Sequence, residues 1–185
     1  MKFSYQFYND LPLIHRESLE MQQIKIDDID LEILKALQED GRITNVKLAE
    51  KVGITPPPCL RRVKSLEDAG FIKGYHADLN AAKLGYDLVV FAMVGLDSQA
   101  ESDLKAFEEL VGGWPMVREA YMLNGEIDFI LKIVARDLNH FQTFLTTHLT
   151  PATNVANVKT SLSIRCGKDR SGIPFTPDDV IIERK

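Results

Sequence analysis

The chain has 185 residues, 45% of them hydrophobic, and a formal net charge of -5. This length accommodates one domain or two small ones, and the composition is typical of a globular protein. No stretch approaches the roughly 18 consecutive apolar residues of a membrane helix, and the N-terminal residues hold no uninterrupted apolar segment of signal-peptide length. We therefore expect a cytoplasmic protein without membrane contact.

The first two predicted helices span residues 27–40 and 44–52. The first has apolar residues every four positions, at Ile29, Ile33 and Leu37, and Gly41 at its end. Acidic residues lie in its first turn, where the helix dipole favours them. Thr44 is placed to cap the second helix, and Gly53 ends it because glycine tolerates the left-handed conformation of a helix stop. This spacing predicts two short helices joined by a tight turn.

The third predicted helix runs from Thr55 to Gly70. Thr55 is expected to cap it through its hydroxyl, and the prolines at 56–58 fill the first turn, where a missing N–H costs little. A buried stripe is predicted at Leu60, Val63 and Leu66. Arg61 and Ser65 then fall opposite that stripe, with Arg62 and Lys64 to the sides.

Such a cationic helix, preceded by two supporting helices, fits the major groove of duplex DNA. Arg61 suits a bidentate pair with guanine, whereas Arg62 and Lys64 suit phosphates. The alternative is a solvated face, since three cations on one helix are common on protein surfaces. The predicted DNA-binding residues are Thr44, Thr55, Pro57, Arg61, Arg62, Lys64 and Ser65.

Residues 71–80 are expected to form a strand-like linker to a second domain. There, strands are predicted at 86–96, 117–123, 127–135 and 155–164, and helices at 98–111 and 137–149, the first of them opened by a Ser98–Glu101 capping box. Asn124-Gly125 predicts a two-residue hairpin turn. The order βαββαβ indicates an antiparallel ferredoxin-like sandwich.

Two helices can cover only one face of such a sheet. Val89, Phe91 and Met93 would then need cover on the other face. A second copy of the same sheet is the simplest cover, so we expect a homodimer. A dimer would also present two reading helices to two DNA half-sites.

Catalytic and metal-binding patterns are weak. The four histidines lack metal-like spacing, and neither Cys59 nor Cys166 has a CxxC partner. No phosphate-cradling glycine loop occurs. We therefore expect no enzyme, no metal and no cofactor. Cys59 is interpreted as a packing residue, with a redox sensor as the alternative.

The segments IDDIDLEILKALQEDGRITNVKLAEKVGITPPPCLRRVKSLEDAGFIKGYHADLN and NGEIDFILKI resemble the Lrp/AsnC transcriptional regulators. The resemblance covers residues 24–167 and is closest to the leucine-responsive branch. It implies a winged-helix-like DNA-binding domain, an amino-acid effector, with leucine or another aliphatic amino acid as the expectation, and dimers that assemble into tetramers or octamers.

The same resemblance implies an effector site at the hairpin turn. Gly125 would let the backbone approach a ligand carboxylate, and Asp128 would match the acidic position of the effector response, with Glu126 pointing outward. The alternative from the residues alone is a plain hairpin with a solvated Asp128. The implied effector-binding residues are Leu123, Asn124, Gly125, Glu126 and Asp128.

The expected organisation is an N-terminal extension (1–23), a helix-turn-helix domain (24–75), a linker (76–84), an α+β effector and oligomerisation domain (85–168) and a tail (169–185). The extension is aromatic enough for an arm that docks on a partner subunit, or else belongs to a start codon placed too early. Two functions remain: a DNA-binding regulator that responds to an amino acid, and an oligomeric amino-acid-binding module whose helix-turn-helix has another role.

Overall fold

The computed structural model of the protein describes residues 26–170 and 172–175. The N-terminal extension (1–23) and the strand-like residues 180–182 of the tail lie outside the described residues. The described residues divide into two compact units, one formed by 26–77 with 172–175 and the other by 78–170.

The helical unit contains α1 (Asp28–Glu39), α2 (Asn45–Lys51) and α3 (Pro56–Asp68). Gly53 has a φ of 74°, and Ile54 N donates to Ala49 O at 2.9 Å, so a left-handed glycine stop ends α2 as predicted. The core of the unit consists of Ile33, Ala36, Leu48, Ala49, Cys59 and Leu66. The packing role predicted for Cys59 agrees with its complete burial, which raises the pKa of its thiol.

The predicted strand-like linker is wrong, because the described structure assigns no strand to residues 71–80. An extended segment becomes a strand only when a neighbouring strand takes up its backbone N–H and C=O groups. The side chains of Phe71, Tyr75 and Leu79 are exposed. Tyr75 OH donates to Glu67 Oε1 at 2.9 Å, and partial desolvation of the hydroxyl on an otherwise exposed ring, together with this hydrogen bond, raises the pKa of Tyr75 to about 12.

The second unit has the predicted order βαββαβ. Its elements are β1 (Leu88–Leu96), α4 (Glu101–Gly112), β2 (Val117–Met122), β3 (Phe129–Ala135), α5 (Leu138–Phe144) with a π-helical turn (Leu145–Leu149), and β4 (Val155–Leu162). The strands form one antiparallel sheet in the order β2-β3-β1-β4. The predicted ferredoxin-like α+β architecture is therefore confirmed.

The core of this unit lies between the helices and one face of the sheet. Strand β3 alternates buried and half-buried residues along its whole length. Phe107 packs against Phe129 with ring centroids 4.9 Å apart, and Trp114 packs edge-on against Phe144 at 5.5 Å. These contacts fix the sheet and thereby the loops at its ends.

Candidate functional sites

Helix α3 begins directly after Thr55, but the predicted hydroxyl cap is wrong. Thr55 occupies the cap position with extended backbone and makes no side-chain cap hydrogen bond. A cap normally accepts from the second or third helical N–H, and those positions are Pro57 and Pro58, which have none. The first helical bond instead runs from Cys59 N to Thr55 O at 3.3 Å. The Thr55 hydroxyl is therefore not engaged by its own helix.

The outward face of α3 carries Arg61 and Lys64. The predicted buried stripe is right at Val63 and Leu66 but wrong at Leu60, which is 58% exposed and is replaced in the core by Cys59. The residues that face the core are Cys59, Val63 and Leu66. Ser65 is a half-buried flank, and Pro57 and Lys64 lie on the exposed side with Arg61. Among the described residues, neither Arg61 nor Lys64 forms an ion pair.

Arg62 is held by the acids at the start of α1, so the prediction that it flanks the outward face as an available cation is wrong. Its Nη1 lies 2.8 Å from Asp30 Oδ1 and 2.9 Å from Asp27 Oδ2. The two acids also form a capping box, in which Asp30 N donates to Asp27 Oδ1 at 2.9 Å and Asp27 N donates to Asp30 Oδ2. Hydrogen bonds to these carboxylates raise the pKa of Arg62. Arg62 therefore fastens α3 to α1.

Two residues at the start of α2 also position α3. The Thr44 hydroxyl accepts from Lys47 N at 3.4 Å, which is the predicted cap. Asn45 Nδ2 donates to Pro56 O at 2.8 Å, so α2 holds the first turn of α3. The Oδ1 atom of Asn45 is buried without a hydrogen-bond partner among the described residues.

The second site lies where β1 ends and β3 begins. Strand β1 has a register shift between Gly95 and Leu96. The Leu96 N–H donates to Asp128 Oδ2 at 2.7 Å, and Gln99 Nε2 donates to Asp128 Oδ1 at 2.8 Å. Asp128 is only 8% exposed. The alternative of a solvated Asp128 is therefore wrong: its carboxylate is buried, and both of its oxygens accept from neutral donors.

The hairpin between β2 and β3 is longer than predicted. Its last strand pair is Met122 with Phe129, and Leu123 N donates to Asp128 O at 2.8 Å. Six residues, 123–128, therefore form the loop, and the predicted two-residue Asn124-Gly125 turn is wrong. The backbone of Asp128 still bonds on both sides, from its N–H to Val94 O at 3.0 Å and from Leu123 N to its carbonyl oxygen, while its side chain is held by β1 and the following loop.

The loop surface is open and partly apolar. Gly125 has no positive φ, and a Cβ there would meet no atom within 4 Å. Neither backbone conformation nor crowding within the described chain requires glycine at this position. Met122 is 57% exposed and Leu123 is 41% exposed, so core packing does not account for them. Asn124 and Glu126 are exposed beside them.

The loop before α4 is held by Asn154, which the sequence analysis did not identify. Asn154 Oδ1 accepts from Ser98 N and Asn154 Nδ2 donates to Ser98 O, each at 2.9 Å. Its φ of 70° is a conformation that asparagine tolerates better than most residues, and this was the only available signal. The predicted Ser98–Glu101 capping box is wrong, because Ala100 is the cap residue and the Ser98 hydroxyl donates to Asp103.

The face of the sheet that the helices leave open is partly apolar and carries the Glu119–Lys132 pair, with Lys159 on β4 opposite Met93. It carries Phe91 and Met93 on β1, and Phe91 is 37% exposed. Lys132 Nζ lies 2.7 Å from Glu119 Oε1, and Tyr121 OH donates to Glu119 Oε2 at 3.0 Å. The hydrogen bond from Lys132 lowers the pKa of Glu119. The pair is thus neutralised within the sheet.

Within residues 26–170 and 172–175, no three His, Cys, Asp or Glu side chains are grouped as they would be to hold a metal ion. In the same part of the chain, none of the helices has the length and apolar character needed to cross a bilayer.

Comparison with known families matches both units. Residues 26–73 match the family described as winged helix-turn-helix DNA-binding, and residues 89–173 match the Lrp/AsnC ligand binding domain. A leucine-responsive regulatory protein of Rhizobium meliloti is 56% identical over 147 residues, which cover 80% of this chain and 94% of the relative. A Bkd operon transcriptional regulator of Pseudomonas aeruginosa is 39% identical over 82% of this chain and 99% of its own length.

Solved structures agree with these sequence relationships. The transcriptional regulator of Neisseria meningitidis in complex with L-Met superposes with a TM-score of 0.76 at 35% identity, covering 81% of this chain and 97% of that one. The relatives are named as regulators of transcription, which confirms the prediction that the chain is not an enzyme. The chain therefore belongs to the Lrp/AsnC family of DNA-binding transcriptional regulators, with an amino-terminal helix-turn-helix and a ligand-binding domain after it.

Proposed function

We propose that this regulator reads duplex DNA through Arg61, with Lys64 and the Thr55 hydroxyl on the phosphates, and that an apolar amino acid modulates this binding from the loop at 123–128. The single observation that carries the DNA assignment is that the cations of α3 lie on two different sides of the helix. Arg62 forms ion pairs with Asp27 and Asp30, whereas Arg61 and Lys64 are exposed on the opposite side.

The outward face of α3 has the chemistry that groove recognition needs. The guanidinium of Arg61 matches the O6 and N7 acceptors of guanine, and Lys64 supplies a phosphate-binding charge one turn further. The first turn, with its exposed Pro57, holds no acidic residue that would repel the backbone. Thr44 and Ser65 are engaged or half-buried, so we assign them to the margin of this surface.

The DNA assignment is tested by fluorescence anisotropy on an operator fragment at several salt concentrations. Arg61→Ala is expected to weaken specific binding by about 1–3 kcal/mol and to reduce discrimination against a scrambled duplex. Lys105→Ala is the matched control, because Lys105 is a cation on α4 paired with Glu101. Equal binding by wild type and Arg61→Ala, or binding without salt dependence, would favour the amino-acid-binding module without a DNA role.

The proposed effector site uses the buried carboxylate of Asp128. Among the described residues it has no cationic partner, and its bonds from Leu96 and Gln99 are neutral. An α-ammonium supplies the charge that a buried carboxylate favours. The open backbone around Gly125 offers N–H groups to the ligand carboxylate, and Met122 and Leu123 offer an apolar surface to its side chain.

The apolar loop surface favours leucine or methionine as the effector. This choice agrees with the relative named as leucine-responsive and with the structural neighbour in complex with L-Met. Native mass spectrometry with each of the twenty amino acids measures ligand mass and subunit number together. Binding restricted to charged or small polar amino acids would contradict the proposed pocket.

We further propose that the open sheet face forms a homodimer, which assembles into tetramers or octamers. Phe91 and Met93 provide the apolar centre, and the neutralised Glu119–Lys132 pair lowers the cost of burying charge there. A dimer places two copies of α3 on one DNA molecule, which raises the effective concentration of the second reading helix. Cytoplasmic location is the expectation that goes with this role.

A further inference from the structure

The tail returns to the helical unit and contacts α1. Gln38, in the last turn of α1, donates from Nε2 to Ile173 O at 2.8 Å and accepts at Oε1 from Ile173 N at 2.7 Å. One side-chain amide thus pairs with both backbone groups of a single residue, as a neighbouring strand would. The contact joins positions 135 residues apart in the chain.

The docked residues have a backbone suited to this contact. Gly172 has a φ of 101°, and a Cβ there would lie 2.5 Å from Gln38 Oε1. Both the conformation and the close approach therefore require glycine. Phe175 N donates to Ile173 O at 2.9 Å across Pro174, which forms a tight turn that proline favours.

A second contact follows one turn earlier on α1. The ammonium of Lys35 lies 6.0 Å from the ring centroid of Phe175, and Phe175 is half-buried. Ile173, in contrast, projects its side chain into solvent and is 64% exposed. Helix α1 therefore contacts the backbone of residue 173 and the ring of residue 175. It does not contact the side chain of residue 173.

We propose that residues 172–175 are a clasp that binds the last turns of α1 and adds a second connection between the helical unit and the sheet domain. The first connection is the linker that follows α3. A second connection reduces the orientations that the helical unit can sample, and so reduces the entropy lost when paired units engage one DNA molecule. The occupant of this surface is the chain's own tail. The effect on DNA rests on the proposed function, whereas the docking itself does not.

Hydrogen–deuterium exchange of the Gly172, Ile173 and Phe175 amides in the full-length protein tests the docking. Gln38→Ala removes both hydrogen bonds while placing a good helix former in α1, and we expect the Ile173 amide to exchange about tenfold faster. Gly172→Ala is expected to have the same effect through strain and collision with Gln38. Ile173→Ala is the matched control and should leave exchange unchanged, because only its backbone is bound.

Unchanged exchange in both Gln38→Ala and Gly172→Ala would overturn the clasp. Operator affinity, measured on the same proteins, tests its consequence: we expect binding to weaken severalfold in those two variants and not in Ile173→Ala. Faster exchange with operator affinity within twofold of wild type would overturn the tethering role. If the wild-type protein binds no DNA, the proposed function fails, while the exchange measurement still decides whether the clasp exists.

Discussion

Replacing Arg62 separates its role from that of Arg61. Arg62→Met keeps the apolar stem but removes the charge that binds Asp27 and Asp30. Asp30 is buried, so the change leaves a carboxylate without its cation. Charge-assisted hydrogen bonds of this kind contribute about 1.5–3 kcal/mol, and the partial exposure of Arg62 places the expected loss of unfolding free energy near 2 kcal/mol. Arg61→Met, on the exposed face, should change it by less than about 0.5 kcal/mol.

Urea denaturation followed by circular dichroism measures the free energies of unfolding. Fluorescence anisotropy at several salt concentrations measures how many DNA phosphates the protein neutralises. We expect Arg61→Met to lose specific binding and Lys64→Gln to reduce the salt dependence, whereas Arg62→Met leaves both unchanged under conditions where the protein is folded. A double variant with Asp30→Asn should be less destabilised than the sum of the single variants. An Arg62→Met protein as stable as wild type, with a reduced salt dependence, would refute the fastening role.

The same cluster predicts a dependence of stability on pH. A backbone hydrogen bond from Asp30, aided by Arg62, lowers the pKa of Asp27 below its ordinary value of 3.8. A lowered carboxyl pKa contributes stability that is present above the unfolded pKa and is lost as the pH falls through the folded one. Thermal unfolding should therefore show acid destabilisation below about pH 4 that is smaller in Arg62→Met.

Three further predictions concern the other surfaces. Lys64→Gln should weaken binding to operator and random duplex alike, seen as parallel losses in anisotropy. Asp128→Asn should abolish amino-acid binding in calorimetry. Gln99→Ala removes a donor that competes for the Asp128 carboxylate and should tighten amino-acid binding about fivefold. Unchanged amino-acid affinity in both variants would reject the ammonium site. Phe91→Lys should convert dimers to monomers in sedimentation, because it places like charges across a two-fold interface; an intact dimer would exclude this face.

The helices and strands could be predicted from the sequence wherever the signal is local, such as a glycine stop or an alternation of apolar residues. Gly53 stops α2, and the alternation of β3 marks its buried face. The orientation of α3 followed only in part, because the three-residue spacing of Leu60, Val63 and Leu66 placed Leu60 on the buried side, where Cys59 lies instead. In the structure Cys59 is buried in the core of the helical unit, where a small side chain permits the close approach of neighbouring helices.

The candidate sites were harder to predict because their side chains bind partners far along the chain. Arg62 was assigned to the outward face from helical spacing, which cannot reveal an ion pair 32 residues away. Asp128 was expected near the turn, but its partners are the last residue of β1 and a residue of the loop after it, 32 and 29 positions away in the chain. The Gln38 contact with the tail is equally non-local.

In the proposed effector site, the buried carboxylate of Asp128 connects the ligand to the loop before α4. Its Oδ2 accepts from the Leu96 N–H, beyond the last β1–β3 pair of Val94 with Phe129, so the oxygen proposed to exchange partners is Oδ1, now bound by Gln99. A ligand ammonium at Oδ1 must displace Gln99 and with it one of the bonds that hold the loop before α4. Because Asn154 still binds Ser98, that loop would shift locally and not unfold. The energy available for such a shift is limited to the difference in ligand affinity between the two loop states.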